Sequence, residues 1–217
     1  MRLKLPRAAL LDWDNTLVDS FAVIHKAYDE TFRAMGLPTW TYEETCARVA
    51  RSMRESFPEL FGERWREARD IYRGAYAAHH LDHVRPLPGA DDLLAALAEA
   101  GVYLAVVSNK TGEYLRAEVD HLGWRGYFGR VVGAADAAED KPAAAPVALA
   151  LEGSGVAPGK DVWFVGDNVI DVACAEAAGC VPVIVRGAVE TGDEAALAAV
   201  RWRFDGCTEL AAVVREF

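Results

Sequence analysis

The sequence is poor in cysteine and contains no long uninterrupted hydrophobic run. It has 217 residues, of which four are cysteines, and these are scattered without Cys-x-x-Cys spacing. We therefore expect reduced, buried thiols and no disulfide framework, as in cytoplasmic proteins. No apolar run approaches the roughly 18 residues that a membrane span needs, and the first seven residues are too short and polar for a signal peptide. We predict a cytoplasmic protein without a membrane partner.

Basic residues are also scarce. The 23 Lys and Arg residues are outnumbered by 33 Asp and Glu residues, which gives a net charge of -10. Nucleic acids and anionic membranes bind basic patches, so this balance argues against both as partners. Such a chain can still bind phosphate, but only through a local cation or a helix N-terminus. The hydrophobic content of 52% is sufficient for one good-sized domain, or for a domain with a small insert.

Hydrophobic spacing divides the chain into two kinds of structure. A short apolar run at residues 8–11 predicts a strand, whereas residues 21–87 show the three- and four-residue spacing of helices. Farther on, short apolar strands alternate with helices, which is typical of a parallel sheet covered on both faces. We therefore predict the α/β class: a doubly wound parallel sheet built from residues 1–19 and 86–217. An all-helical cap domain of residues 20–85 is predicted to interrupt it.

The alternating part allows individual elements to be predicted. Its strands are predicted at residues 102–107, 130–133, 162–165, 181–185 and 202–204. Its helices are predicted at residues 90–100, 111–122, 142–151, 169–178 and 193–200, with a last helix ending at residue 217.

Polar side chains follow four of these strands. Asp12 and Asp14 end the first strand, and because residues two apart in a strand point to the same face, their carboxylates should converge. The other strand ends contribute Ser108, Asn109 and Lys110, then Lys141, then Asp167 and Asp171. In a doubly wound sheet the carboxyl ends of the strands form the ligand-binding edge. We therefore predict that these residues share one site.

The residue types suit phosphoryl transfer. Clustered carboxylates require a hard cation, for which Mg²⁺ is the best fit. One carboxylate can attack phosphorus and form an aspartyl phosphate, while a second protonates the leaving oxygen and later deprotonates water. Ser108 and the N–H groups of the helix it is predicted to open would bind phosphate oxygens, and Lys141 would offset the negative charge.

Each of these residues also has a plain structural interpretation. The two early aspartates can simply begin a turn, Ser108 can cap a helix, and Lys141 can be a solvated side chain before a helix. Lys110 is predicted to face solvent in the first turn of its helix. Thr16 is predicted to stabilise the turn after Asp14.

Taken together, four segments resemble the motifs of the haloacid dehalogenase-like hydrolase superfamily. They are Asp12-Trp13-Asp14-Asn15-Thr16-Leu17-Val18-Asp19-Ser20, Ser108-Asn109-Lys110, Lys141-Pro142 and Gly166-Asp167-Asn168-Val169-Ile170-Asp171. A helical insert directly after the first motif resembles the superfamily's type I cap. The likeness is closest to phosphoglycolate phosphatases, although Asn15 stands where those more often have Gly and Asn168 where they more often have Ser or Thr.

The resemblance implies a Mg²⁺-dependent phosphatase acting on a small phosphorylated metabolite. By the same resemblance Asp12 would be the nucleophile and Asp14 the general acid/base. Asp12, Asp167 and the backbone carbonyl of Asp14 would form the metal site, with Asp171 and Thr16 supporting it from outside the coordination sphere. Ser108, the backbone of Asn109 and Lys141 would bind the phosphate.

Other activities are separated by single residues. Dehalogenases and phosphonate hydrolases resemble this fold but lack an acid at the position of Asp14. Phosphonate hydrolases also need a cap lysine, and the only lysine of the predicted insert, Lys26, lies near its start. A nucleotide or sugar phosphate phosphatase, a sugar phosphomutase and a non-catalytic phosphate-binding regulator remain open.

Basic residues of the insert are candidates for substrate recognition. Arg48, Arg51 and Arg54 recur every three residues, which would align them along one side of a helix. If that side faced the core, Arg51 and Arg54 could bind a carboxylate or second phosphate of the substrate; the alternative is a solvated helix face. His79, His80 and His83 are interpreted as a polar helix end near the hinge. The oligomeric state, monomer or homodimer, is left open.

Overall fold

A parallel β-sheet forms the centre of the molecule. The computed structural model describes residues 3–190 and 194–217. Its strands are β1 (Ala8–Leu11), β2 (Val18–Asp19), β3 (Arg85–Pro86), β4 (Tyr103–Thr111), β5 (Phe128–Ala134), β6 (Val162–Gly166), β7 (Val181–Val185) and β8 (Arg203–Phe204). The order in the main sheet is β5-β4-β1-β6-β7-β8, and every neighbouring pair is parallel. The predicted doubly wound α/β fold is confirmed.

The helices precede, connect and follow these strands. They are α1 (Phe21–Met35), α2 (Tyr42–Arg48), α3 (Met53–Phe61), α4 (Trp65–Ala77), α5 (His80–His83), α6 (Ala90–Glu99), α7 (Gly112–His121), α8 (Ala145–Leu151), α9 (Val169–Ala177), α10 (Glu194–Ala198) and α11 (Cys207–Val214). None of the helices within the described ranges combines the length and the apolar character that a membrane crossing requires.

Both faces of the sheet are buried. In β1, Ala9 and Leu11 pack on one face with side chains of α6, α7 and α11, whereas Ala8 and Leu10 pack on the other with side chains of α8 and α9. This arrangement explains why β1 is a continuous apolar run with no polar side. The four cysteines are buried as free thiols, as expected from their scarcity.

The order of the strands determines where a ligand can bind. From β1 the chain moves outward through β4 to β5, and it then returns to place β6 on the other side of β1. The carboxyl ends of β1, β4 and β6 are therefore adjacent at the point where the winding reverses. That point is where open α/β sheets form their ligand crevice.

The helices α1 to α5 have a hydrophobic cluster of their own. Its members include Tyr28, Phe32, Phe57 and Tyr72, and one residue of α7, Tyr114, joins them. The segment is connected to the sheet through a short antiparallel ribbon in which Val18 pairs with Pro86 and Asp19 with Arg85. The predicted boundaries of the cap fall at this ribbon, and the division into cap and core stays a prediction.

Several predicted elements differ from the structure at their ends. The strand predicted at residues 102–107 continues to Thr111, so the following helix does not open at Ser108. The physical reason is tertiary: a Cβ at Gly133 would lie 2.8 Å from the carbonyl oxygen of Lys110, so β5 passes directly against this segment. Helix α8 begins at Ala145, three residues later than predicted. Of the helix predicted at residues 193–200, Asp193 lies outside the described residues.

Candidate active site

Asp12 lies at the end of β1 and is almost completely buried, with 7% of its surface exposed. Its N–H donates to the carbonyl oxygen of Val165 at 2.8 Å, which continues the pairing of β1 with β6. The chain then turns tightly, because the carbonyl oxygen of Trp13 accepts from the N–H groups of Leu17 and Val18. Asp12 and Asp14 line the same pocket, as the spacing predicts.

Lys141 bridges two of the acidic residues. Its ammonium nitrogen lies 2.6 Å from Oδ1 of Asp12 and 2.7 Å from Oδ1 of Asp171, and its side chain is only 3% exposed. Burial raises the pKa of Asp12 to about 7, although the charge of Lys141 opposes this effect. Burial also raises the pKa of Asp171, while the two carboxylates keep the pKa of Lys141 above its usual range despite its own burial.

The end of β6 supplies Asp167 and Asp171. Asp167 accepts hydrogen bonds from Asn15 at 2.7 Å and from Thr16 at 3.0 Å, so the turn after Asp14 orients this carboxylate. Asp171 accepts from the N–H of Asn168 and closes a capping box at the start of α9. Gly166 is required beside it, because a Cβ there would overlap the carboxylate of Asp171.

These acidic groups fit a metal ion. One oxygen from each of Asp12, Asp167 and Asp171 lies within 4.8 Å of the others, and all three residues are buried. Lys141 contacts two of them, Asp12 and Asp171, and the carboxylate oxygens of the cluster are the ligands that a hard dication prefers. The carboxylate of Asp14 does not belong to this cluster, and the role of its backbone carbonyl as a metal ligand stays a prediction.

Ser108 and Asn109 lie at the end of β4 beside the Lys141 loop. Asn109 accepts from the N–H of Lys141 at 3.0 Å, and its amide nitrogen donates to the carbonyl oxygens of Lys141 and Ala50 at 3.1 Å each. Asn109 therefore connects two parts of the sheet edge with the segment that follows α2. Ser108 is buried, and its hydroxyl accepts from the N–H of Lys110 at 3.3 Å.

The prediction for Lys110 is wrong. Its side chain is only 5% exposed, and its ammonium nitrogen lies 2.6 Å from Asp14 and 2.6 Å from Glu118. Because β4 continues through residue 110, the side chain points into the crevice and not outward from a helix. The polar-end interpretation also fails for His80, which is buried against Glu118.

Glu118 is the site neighbour that sequence reasoning missed. The buried stripe of α7 consists of Tyr114, Leu115, Glu118 and Val119, so one acid interrupts an otherwise apolar face. Acids are almost never fully buried without a partner. The position of Glu118 in that stripe was the available signal.

The arginines of the insert do not share a helix. Arg48 ends α2, Arg51 lies in the loop that follows, and Arg54 lies in α3, so the predicted alignment along one helix side is wrong. Arg51 lines the pocket that contains Asp12 and makes a two-point contact with Glu59. Arg54 instead pairs with the buried carboxylate of Asp140 at 2.6 Å.

The side of the pocket formed by α1 to α4 is largely aromatic and aliphatic. It is formed by Phe21, Ile24, Tyr28, Tyr72 and Tyr76. The sheet side carries the polar residues that follow β1 and β6 and those in the last part of β4. A substrate in this pocket would thus meet charged groups on one side and a mostly apolar wall with one charged residue, Arg51, on the other.

Comparison with known proteins identifies the family. A family model described as haloacid dehalogenase-like hydrolase matches residues 9–185. A phosphoglycolate phosphatase of Aquifex aeolicus is 32% identical over 174 residues, which cover 80% of this chain and 81% of that protein. A phosphoglycolate phosphatase of Chromobacterium violaceum is 30% identical over 194 residues, covering 85% and 87%.

A solved structure supports the same assignment at the level of the fold. A haloacid dehalogenase-like family hydrolase from Streptococcus pneumoniae superposes with a TM-score of 0.83 at 24% identity, over 96% of this chain and 98% of that one. The resemblance inferred from the four motifs is confirmed, and so is the likeness to phosphoglycolate phosphatases. The chain therefore belongs to the haloacid dehalogenase-like hydrolases.

Proposed function

We propose that this hydrolase is a Mg²⁺-dependent phosphatase that cleaves a small organic phosphomonoester through an aspartyl phosphate on Asp12. Phosphoglycolate is the first substrate to test, because curated relatives of this chain carry that name. The observation that carries the proposal is the pairing of buried Asp12 with Lys141, beside Asp167 and Asp171.

Asp12 has the position expected of a nucleophile. An attacking carboxylate must be ionised, and burial disfavours that form, as the raised pKa of about 7 indicates. Lys141 favours the ionised form through its contact with Oδ1 of Asp12. The carboxylates of Asp12 and Asp167 and the backbone carbonyl of Asp14 would hold the metal ion, with Asp171 and Thr16 supporting them. When bound, the ion would supply positive charge at the phosphate oxygens.

Asp14 is suited to proton transfer because its carboxylate lines the pocket but does not contact Lys141, as the carboxylate of Asp12 does. Its Oδ1 accepts hydrogen bonds from Lys110 and Ser20, so its carboxylate lies outside the Lys141 cluster. A protonated Asp14 would donate its proton to the leaving oxygen while the Asp12–phosphorus bond forms. The resulting carboxylate would then take a proton from the water that releases phosphate from Asp12.

Ser108, Asn109 and Lys141 are proposed to bind the phosphate. The Asn109 side chain connects the last part of β4 to the Lys141 loop, which would fix the spacing of the ligands. Fixed donors stabilise the charge that develops during phosphoryl transfer. Because the helix α7 begins only at Gly112, Ser108 and Asn109 would bind the phosphate from β4 and not from a helix N-terminus.

Removal of the metal ion should abolish the activity. Dialysis against EDTA is expected to reduce hydrolysis of p-nitrophenyl phosphate to background, since Asp12, Asp167 and Asp171 would be left without a dication. Millimolar Mg²⁺ should restore it, and Ca²⁺, which prefers more ligands and a looser geometry, should restore far less.

The same assay separates the remaining candidates. A phosphate-binding regulator would release no nitrophenolate at all, and a sugar phosphomutase would interconvert sugar phosphates with little net release of phosphate. Full activity after exhaustive chelation would contradict the proposed metal dependence. A panel of phosphorylated metabolites then identifies the substrate.

Arg51 is proposed to recognise an acidic leaving group. It lines the pocket, and although Glu59 holds its two terminal nitrogens, a guanidinium carries five N–H donors. Arg51→Ala should raise KM for phosphoglycolate about tenfold, the effect of one charge-assisted hydrogen bond, and KM for p-nitrophenyl phosphate less than about twofold.

Arg54→Ala is the matched control for this prediction. Arg54 carries the same charge three residues away but is paired with Asp140. Any effect of that change should be equal for the acidic and the aryl substrate. Equal effects of Arg51→Ala on both substrates would remove Arg51 from substrate recognition.

A further inference from the structure

One buried ionised side chain next to the site has no role in the chemistry proposed above. Glu118 of α7 is fully buried, with 0% of its surface exposed. Oε2 accepts hydrogen bonds from Lys110 at 2.6 Å and Trp13 at 2.7 Å. Oε1 accepts from Tyr76 at 2.8 Å and lies 2.9 Å from Nδ1 of His80. Four partners satisfy the hydrogen-bonding capacity of this buried carboxylate, so its position is well defined.

Glu118 is ionised in this environment. Burial by itself would raise its pKa, but the charge of Lys110 and the hydrogen bonds from His80 and Tyr76 hold the pKa at about 2. Because an ionised carboxylate only accepts hydrogen bonds, Nδ1 of His80 must be the donor in their contact.

The contacts of Glu118 lead directly to Asp14. Lys110 lies between the two carboxylates, 2.6 Å from each, and its ammonium nitrogen is also 5.1 Å from the centre of the Tyr76 ring. Ser20, immediately before α1, donates a second hydrogen bond to the same Oδ1 of Asp14. Within the described ranges, Oδ2 of Asp14 receives no hydrogen bond, and Asp14 lines the pocket. One oxygen of Asp14 is thus anchored and the other is available to a substrate.

We propose that Glu118 is a positioning residue for Asp14, acting through Lys110. By holding the Lys110 ammonium group on Oδ1 of Asp14, it leaves Oδ2 directed to the pocket, where the proton is transferred. Tyr76 and His80 belong to α4 and α5, so two of the four contacts of Glu118 come from the cap side. This inference rests on the proposed function, because it requires that Asp14 transfers protons.

The two steps of the proposed reaction differ in what they require from Asp14. As the Asp12–phosphorus bond forms and the ester oxygen leaves, an alkyl alkoxide must receive the Asp14 proton. Nitrophenolate is stable as an anion and leaves without one. In the second step, water attacks phosphorus, Asp14 accepts a proton from it, and the Asp12–phosphorus bond breaks. Loss of positioning should therefore slow the first step only for alkyl substrates.

The test measures the first step separately for two substrates. Wild type and Glu118→Gln are mixed rapidly with p-nitrophenyl phosphate, and the nitrophenolate of the first turnover is recorded. Both are also quenched after mixing with radiolabelled glycerol phosphate, and the phosphorylated protein is counted. Glu118→Gln is expected to slow phosphorylation by glycerol phosphate about thirtyfold and nitrophenolate release less than threefold. KM for both substrates should change less than threefold.

A double-variant cycle tests whether Glu118 acts through Lys110. Lys110→Met should give the same substrate-dependent loss, and the double variant should be no slower than the slower single variant. If Glu118→Gln does not fold, Lys110→Met tests the contact with Asp14 that the proposal requires: a loss confined to glycerol phosphate supports the proposal, and equal or no loss overturns it. Glu113→Gln is the matched control, since Glu113 lies on the same helix and pairs with Arg73 at the surface. It should leave both rates unchanged.

The outcomes distinguish this inference from the function it rests on. If wild type forms no phosphorylated protein with either substrate, the proposed function fails, and the positioning role fails with it. If wild type does, but the variants slow both substrates equally or their effects multiply, only the positioning role is overturned. The positioning role is supported if the variants slow phosphorylation only with glycerol phosphate and the double variant is no slower than the slower single variant.

Discussion

Replacement of Asp12 by asparagine is expected to lower kcat by at least about a thousandfold and to leave the fold intact. An amide cannot form the acyl phosphate, and loss of a nucleophile typically removes several orders of magnitude. The amide oxygen can still accept the hydrogen bond that Lys141 donates to Oδ1 of Asp12. The measurement is hydrolysis of p-nitrophenyl phosphate with saturating Mg²⁺, together with circular dichroism.

The same variant has a stability signature. In the folded protein burial raises the pKa of Asp12 from 3.8 to about 7. A carboxyl group with a raised pKa favours the folded state below its unfolded pKa, and that contribution is lost as pH rises through the folded value. Asp12→Asn should therefore melt at or above the wild-type temperature at pH 8 in EDTA, with a smaller difference at pH 5.

The exposed Asp120 provides the control for both measurements. Asp120→Asn should change neither activity nor melting temperature. Retention of activity in Asp12→Asn would contradict the proposed nucleophile. A clearly lower melting temperature of Asp12→Asn at pH 8 would contradict the conclusion that burial outweighs the charge of Lys141 at Asp12.

Replacement of Lys141 by methionine is expected to lower the free energy of unfolding by about 3–5 kcal/mol at pH 7.5 in EDTA, the usual cost of removing one partner of a buried ion pair. Asp12 and Asp171 would remain buried without the ammonium group that contacts both. Activity should fall at least about a hundredfold, because a cation is lost from the proposed phosphate site. Urea unfolding gives the first quantity and steady-state kinetics the second.

The deficit of this variant should shrink on acidification. Burial raises the pKa of both carboxyl groups and Lys141 opposes this effect, so loss of Lys141 would raise both pKa values further. Protonation on acidification would then stabilise the folded variant more than the folded wild type. The difference between variant and wild type should therefore be smaller at pH 5 than at pH 7.5. Lys160→Met, which changes an exposed lysine, should show no deficit. If Lys141→Met lowers the free energy of unfolding by less than about 1 kcal/mol, or by an amount independent of pH, Lys141 does not stabilise the two buried carboxylates as described.

Most strands of the sheet were predictable because each one is encoded by a run of adjacent apolar residues. The apolar runs at β1 and β6 are buried on both faces, and such runs are continuous in the sequence. Once a strand is assigned, the polar residues that follow it must lie at its carboxyl end. The grouping of Asp12, Lys141 and Asp171 follows from this rule without any knowledge of side-chain contacts.

The side of the crevice around Lys110 was not predictable in the same way. Whether residue 110 lies on a strand or in a helix determines the direction of its side chain. That choice depends on the close passage of Gly133 against Gly112, and Gly133 is distant in sequence from the helical signals near residue 111. The acid at Glu118 is visible in the sequence as an interruption of an apolar stripe, but its partners are not, since they are Trp13 and residues of β4, α4 and α5.

The insert illustrates the limit of periodicity. Three-residue spacing of Arg48, Arg51 and Arg54 predicted one helix face, but the chain leaves the helical conformation after Arg48 and resumes it at Met53. Arg54 then contacts Asp140, a residue of the α/β part that no local pattern relates to it. Spacing describes neighbours within a helix, and it carries no information on where the helix ends or what it packs against.

By itself, the sequence determined the fold class, the family and the strand ends that contribute to the site, because strand periodicity and motif spacing are properties of adjacent residues. The tertiary structure alone decided which charges meet. It paired Lys141 with Asp12 and Asp171, and Lys110 with Asp14 and Glu118. Burial and these contacts then shifted the pKa of Asp12, Asp171 and Glu118, because the cost of a buried charge depends on every group packed around it and not on its neighbours along the chain.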